Sequence, residues 1–366
     1  MTELVRTIEI IERGMSDGLH FGAQVYVSIN GQTAASFALG DALPGRPMTT
    51  HSMMRWLSCT KPIVAIAIAQ LWERGSLDLD APVARYIPEF GANNKDKITT
   101  RHLLTHTAGI PTLEQAQIRL SWKDVISFIC DSPLERGWIP GRKAGYHFAS
   151  SWFILGELIN RLTNTPVERY VRSQIFEPLG MTDSWLILNA AQQNAYAARL
   201  GVLFNTSNGK REPAAWDSDP NGLERCVPGS SGRGPVSELA RFYEMLLFRG
   251  ELNGARIVSA QTVEAVTARH RTGMLDHTFG HIMDWGLGFL VDSNIYGADT
   301  VPYGFGRHCS PRTFGHGGFE SSSAFCDPEF RLVVAWVMNG TPGFLKHNQR
   351  CRAINSAIYV DLGFAY

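Results

Sequence analysis

A serine and a lysine three positions apart, Ser58 and Lys61, stand at the head of an apolar run from Ile63 to Trp72. The run reads as a buried helix, so Ser58 falls where that helix begins and Lys61 one turn further on. Helix positions three apart share a face, which brings a hydroxyl and an amine into the same space. A serine becomes a nucleophile when a neighbouring base takes its proton. A lysine amine serves as that base once burial or nearby positive charge lowers its pKa. The helix N-terminus adds partial positive charge where an oxyanion would develop. Cys59 competes poorly as a nucleophile. The next residue on a helix points about 100° away, and Cys59 reads as a small buried side chain. His102 and His106 lie within HLLTHTAG, which reads as a helix and turn with no acidic third ligand after it. His277, His281 and Asp284 have only loose ligand spacing. No metal and no cofactor are expected.

The elements that must position Ser58 come from both ends of the chain. Residues 3–16 carry Leu4, Ile8, Ile11 and Met15 at helical spacing, with Asp17-Gly18 as a stop. GAQVYVSI and QTAASFAL read as strands joined at Asn30-Gly31, a two-residue hairpin turn. The middle is mostly helical: ITTRHLLTHTAGI with Thr99 or Thr100 as N-cap, SWKDVISFICDS, SSWFILGELINRLTN, and PVERYVRSQIFEPLGM with Pro166 in the first turn. Residues 185–235 are loop-rich, with NTSNGKREP and DSDPNG clusters. VSELARFYEMLLFRG predicts a helix with Ser237 as N-cap, and 256–270 another. WGLGFLVD, RTFGHGG, ESSSAFCDP and RLVVAWVMNG read as strands, and HNQRCRAINSAIYVDL as a closing helix. The expected fold class is α+β, an antiparallel sheet flanked by the terminal helices. Residues 1–75 with about 236–366 form its α/β part, and about 76–235 an inserted α-rich part.

The chain's 366 residues suffice for a large core. With 34 basic and 34 acidic residues the net charge is zero, so no strong field steers nucleic acid or anionic membrane. The stretch MTELVRTIEIIERGMSDG lacks the apolar segment and cleavage site of a secretory signal. No apolar run reaches membrane-spanning length. The six cysteines are scattered without a CxxC pair, a poor disulfide framework that suits a reducing compartment. The expectation is cytoplasmic. Monomer or homo-oligomer stays open.

The blocks WLSCTKPIVAIAIAQLWERGSLDLDAPVARYIPEF, ITTRHLLTHTAGIP, SSWFILGELINRLTNTPVERYVRSQIFEPLGM, VSELARFYEMLL and FGHGGFESSSAFCDPEFRLVVAWVMN follow one another in the chain. In residues and order they resemble the serine β-lactamase and penicillin-binding-protein superfamily. The resembled branch is the class C β-lactamase-like one, which includes family VIII carboxylesterases. The resemblance runs from about residue 20 to the C-terminus. It implies a β-lactamase/transpeptidase-like fold and three catalytic elements. The first is Ser58 with Lys61, the Ser-x-x-Lys pair. The second is a tyrosine, here Tyr146 in Ala144-Gly145-Tyr146-His147-Phe148, acting as phenolate or in a shared-proton network with Lys61. A nearby ammonium is expected to lower its pKa. His147 is the alternative base. The third is the strand His316-Gly317-Gly318, with the backbone N–H groups of Ser58 and Phe319 as the oxyanion hole, each donor worth about 2.7–4 kcal/mol. His147, Phe148, Gly317, Gly318 and Trp152 are expected at the substrate, and Trp285, Phe305 and Phe319 are further candidates for an acyl pocket.

The chain departs from the family pattern in two places. Phe148 stands where the family has an asparagine, and is expected neither to bond a substrate amide nor to hold Lys61. His316-Gly317-Gly318 replaces Lys-Thr-Gly. Both changes disfavour a β-lactam and favour a neutral ester. The resemblance thus implies a serine hydrolase of small or medium acyl esters acting through an acyl-enzyme on Ser58. An acyl transferase or a D-amino-acid peptidase would use the same intermediate. A β-lactamase or a non-catalytic sensor fits less well.

Overall fold

The computed structural model describes residues 2–365 except Trp216, Ser218 and Pro220. Two residues of the DSDPNG cluster, Ser218 and Pro220, therefore lie outside the described residues. The elements that build the site are α1 (Val5–Ser16), β1 (Gly22–Ile29), β2 (Gln32–Leu43), β3 (Arg46–Pro47) and α2 (Lys61–Glu73). After them come α3 (Ser150–Thr163), α4 (Val236–Leu247) and β4 (Leu290–Val291). The last are β5 (Phe314–Gly318), β6 (Ser322–Asp327), β7 (Leu332–Met338) and α5 (Phe344–Asp361).

The main sheet runs β4-β5-β6-β7-β1-β2-β3, antiparallel throughout. Asn30 and Gly31 turn β1 into β2 at φ 54° and 74°, the left-handed pair that a tight hairpin requires. The first strand then pairs with the last, Val25 opposite Trp336. Period-two alternation sends Val333, Ala335 and Val337 of β7 to one core and Leu332, Val334, Trp336 and Met338 to another. The first core holds α2, α3 and α4, and the second holds α1 and α5. The terminal helices are tied together, since Thr7 donates its N–H and hydroxyl to the Asp361 carboxylate at 2.9 and 2.8 Å.

Helix α2 is apolar all round and buried from Lys61 to Leu71, as such a helix must be. Each Ile or Val it buries contributes about 1.5–3 kcal/mol. Several boundaries differ from the expected ones. The helix at 236 is capped by Pro235 and contains Ser237, because the proline's extended ψ already sets the entry. Pro166 is likewise the N-cap, and lies outside the helix that starts at Val167. The helix expected over 256–270 is confined to Ala260–Thr267, since the Ser259 hydroxyl caps it by accepting from the N–H of Thr262 at 3.1 Å. In WGLGFLVD only Leu290 and Val291 form strand. No helix among the described residues is long and apolar enough to cross a membrane.

Candidate active site

Ser58 does not lie in the α-helix. It sits in a 3-10 turn, Leu57–Thr60, that runs into α2 at Lys61. In a 3-10 turn residues i and i+3 eclipse, so the two side chains meet more squarely than on an α-helix. Lys61 Nζ lies 3.0 Å from Ser58 Oγ. The Tyr146 hydroxyl donates to the same oxygen at 2.8 Å. Lys61 Nζ is also held by the carbonyls of Phe148 at 2.9 Å and Gly229 at 3.0 Å. Phe148 therefore does hold Lys61, through its main chain, contrary to the expectation from its side chain.

Burial holds the Lys61 amine well below the usual lysine range. A neutral amine has two N–H groups and one lone pair. With the two carbonyls taking the N–H groups, the lone pair is left for the Ser58 hydroxyl. Tyr146 shifts the other way: burial pushes its phenol well above the usual value, against the pull of the Ser58 hydrogen bond. The expected lowering is reversed because desolvation penalises the phenolate more than the Ser58 hydrogen bond favours it, and Tyr303, Cys59 and Asp276 add to the rise. Tyr146 thus rests as a proton donor to Ser58.

The backbone beside Ser58 and Phe319, the two expected oxyanion donors, is constrained. Leu57, directly before Ser58, has φ 51°, and Glu320, directly after Phe319, has φ 47°. A left-handed non-glycine costs about 1–2 kcal/mol and persists only where its surroundings enforce it. The Thr60 hydroxyl fixes the Leu57 carbonyl at 2.6 Å. Arg350 donates to the Glu320 carbonyl at 2.8 Å, and the Gly343 N–H to its carboxylate at 2.7 Å. Strand β5 is pressed against the Ser58 turn: a Cβ on Gly318 would lie 2.1 Å from Ser322 Oγ and 2.5 Å from the Trp56 carbonyl. Ser322 donates to that carbonyl at 2.7 Å, and Cys59 donates to the His316 carbonyl at 3.0 Å. Burial pushes the Cys59 thiol up to about 12, so it holds strand and turn together and stays unreactive.

A cavity of about 510 Å³ opens on Ser58 and is lined by Tyr146, Phe148, Trp285, His316, Gly317 and Phe319 among others. His316 is buried, with its Nδ1 2.7 Å from the Gly317 carbonyl, which makes Nδ1 the protonated nitrogen. Its Nε2 is buried without a hydrogen-bond partner. Burial and the neighbouring Lys61 lower its pKa to about 3, so the ring is neutral. The other expected substrate contacts fall elsewhere. His147 is buried, with Nε2 2.9 Å from Glu135 and its N–H donated to His106, because the chain turns after Tyr146 and points the next side chain away from Ser58. Trp152 lies behind Lys61, its ring centroid 5.4 Å from Nζ. Phe305 is buried against Phe325.

Sequence reasoning missed three contributors. His106 lies under Tyr146, ring centroids 4.6 Å apart, although HLLTHTAG gave only a helix-turn signal. Asp276 accepts the N–H of Tyr146, Thr278 and Phe279 and pairs with buried Arg271 at 3.0 Å. Gly229 abuts Lys61, and the glycine-rich PGSSGRG stretch was its only hint. No group of three His, Cys, Asp or Glu side chains placed to hold a metal occurs among the described residues.

A seven-stranded sheet from both chain ends, with a serine, lysine and tyrosine gathered beside its β5, is matched by one family model. The Beta-lactamase model aligns with residues 8–357. This chain belongs to the beta-lactamase family. Among its relatives, Esterase EstB of Burkholderia gladioli is 32% identical, covering 90% of this chain and 88% of that protein. Esterase/beta-lactamase LipL of Mycobacterium tuberculosis is 26% identical, covering 89% and 79%. A penicillin-binding protein homologue from Caulobacter crescentus superposes with a TM-score of 0.79 at 25% identity, covering 98% and 97% of the two chains. The beta-lactamase fold accounts for the antiparallel sheet and for the helical segments beside Ser58.

Proposed function

We propose that this member of the beta-lactamase family is a serine hydrolase that cleaves small or medium acyl esters through an acyl-enzyme on Ser58. The observation that carries it is the single hydroxyl shared by a desolvated amine at 3.0 Å and a phenol at 2.8 Å. Lys61 takes the Ser58 proton as the oxygen attacks the ester carbonyl. The N–H groups of Ser58 and Phe319 receive the oxyanion. Tyr146 gives its proton to the departing alcohol and recovers one from the Lys61 ammonium, the two groups meeting at Ser58 Oγ. Water then takes the alcohol's place, yields its proton to the same pair and releases the acid. Esterase is what the name of EstB states of that protein, and esterase and beta-lactamase what the name of LipL states.

The lining disfavours a β-lactam. His316 stays neutral, and Phe148 presents a phenyl ring where a side-chain amide would be needed. Turnover of p-nitrophenyl esters that is lost in Ser58→Ala, with fluorophosphonate labelling of Ser58, is the expected result. No turnover and no labelling would refute the hydrolase, and efficient cephalosporin hydrolysis would refute the ester preference. Product analysis with added alcohols separates hydrolysis from acyl transfer.

A further inference from the structure

The cavity at Ser58 has two chemically different ends. Around Tyr146 the lining is aromatic, with Phe279, Trp285, Tyr303 and Phe344. At the other end the segments 112–119 and 219–230 bring Arg119 and Arg225 to the wall, beside Arg55. One carboxylate shares that wall: Asp219, 2.7 Å from Arg225 and 3.7 Å from Arg119. A second, Asp217, lies beneath it with 1% side-chain exposure, 3.3 Å from Arg55 and 3.1 Å from buried Arg233. Arg119 and Arg225 thus share Asp219 between them. In a chain of zero net charge, two guanidinium groups line the cavity with that one carboxylate between them.

The proton path orients the ester. Tyr146 serves the leaving alcohol, so the alcohol occupies the aromatic end and the acyl group extends toward the arginines. We infer that the acyl group carries a carboxylate of its own, which docks on Arg119 and Arg225, so that the substrate is a half-ester of a dicarboxylic acid. Guanidinium groups are suited to this by their planar paired donors. One water is consumed, the acyl–oxygen bond to the alcohol breaks, and a dicarboxylate, an alcohol and one proton leave. The inference rests on the ester-hydrolase reading above and sharpens its substrate class.

The test is calorimetric titration of the Ser58→Ala protein with succinate, glutarate and adipate against the monoacids butyrate, pentanoate and hexanoate. At least one diacid is expected to bind about 10- to 100-fold tighter than the monoacid of equal length, the worth of a charged hydrogen-bonded contact. Arg119→Gln or Arg225→Gln in that background should erase the difference. Asp219→Asn, which removes the competing carboxylate, should enlarge it. Arg119→Lys, which keeps the charge, should retain part of it. Diacids binding no tighter at any length, or a preference that survives both glutamine substitutions, would overturn the inference. Because the protein titrated lacks its nucleophile, the outcome is independent of turnover. Diacid binding without ester hydrolysis by the unsubstituted protein would refute the hydrolase reading alone.

Discussion

At the scale of single residues, the chemistry depends on which of two buried groups carries a proton. Lys61 is held low by burial and Tyr146 high by the same cause. The resting pair is therefore amine and phenol. Tyr146→Phe should lower kcat by about 10²–10⁴-fold, the usual worth of a positioned acid, while calorimetry shows acid binding retained. The pH profile follows with its sign. Activity falls as pH drops through the lowered Lys61 pKa, because the ammonium has no lone pair. On the alkaline side Tyr146 stays protonated to beyond about pH 10, so it contributes no decline below that. An alkaline limb below pH 10 that disappears in Tyr146→Phe would contradict this assignment.

At the scale of elements, the catalytic groups are fixed by the segments behind them. A Cβ on Gly229 would lie 2.8 Å from Trp152 Cγ and 3.0 Å from Lys61 Nζ. Gly229→Ala should therefore displace Lys61 and lower kcat about tenfold or more, at a stability cost of about 1–3 kcal/mol, read from rates and urea midpoints. Asp276→Ala leaves Arg271 buried and unpaired, which costs about 3–5 kcal/mol, and it also frees the Tyr146 main chain. An unchanged urea midpoint would rule out that ion pair as a support. The elements were legible in unequal measure. The hairpin at Asn30-Gly31, the apolar α2 and the β5–β7 strands follow from local pattern, because turn chemistry and burial periodicity are written in neighbouring residues. Ser58 and Lys61 were legible for the same reason. Asp276, Gly229 and His106 were not, since each acts on residues far along the chain and has an ordinary local context. The direction of the Tyr146 shift was misread because its burial comes from Phe279, Trp285 and His106, which no spacing rule places around it.

At the scale of the whole molecule, burial makes stability pH-dependent. His20, His106, His316 and His347 are all held below the usual histidine range, chiefly by desolvation. Below about pH 6.5 the unfolded chain binds protons that the folded chain refuses. Stability is full above that pH and falls as pH drops, by up to about 1.4 kcal/mol per pH unit for each histidine. Glu238, Asp292 and Glu320, raised by burial, act in the opposite sense, nearer the carboxylate range. Urea midpoints should be clearly lower at pH 5.5 than at pH 7.5, and equal midpoints would contradict the count. The pairing of the first strand with the last has a kinetic consequence. Asn339 accepts the N–H of Gly22 across 317 positions, so the two ends of the sheet join only through one distant pairing, β1 with β7, and such a long-range closure is slow. During synthesis Ser58 leaves the ribosome early, but β5 and its neighbour β6 emerge among the last segments. A nascent chain therefore carries Ser58 for most of its synthesis without the strand that leads to the proposed oxyanion donor, and on that proposal activity waits until the sheet closes.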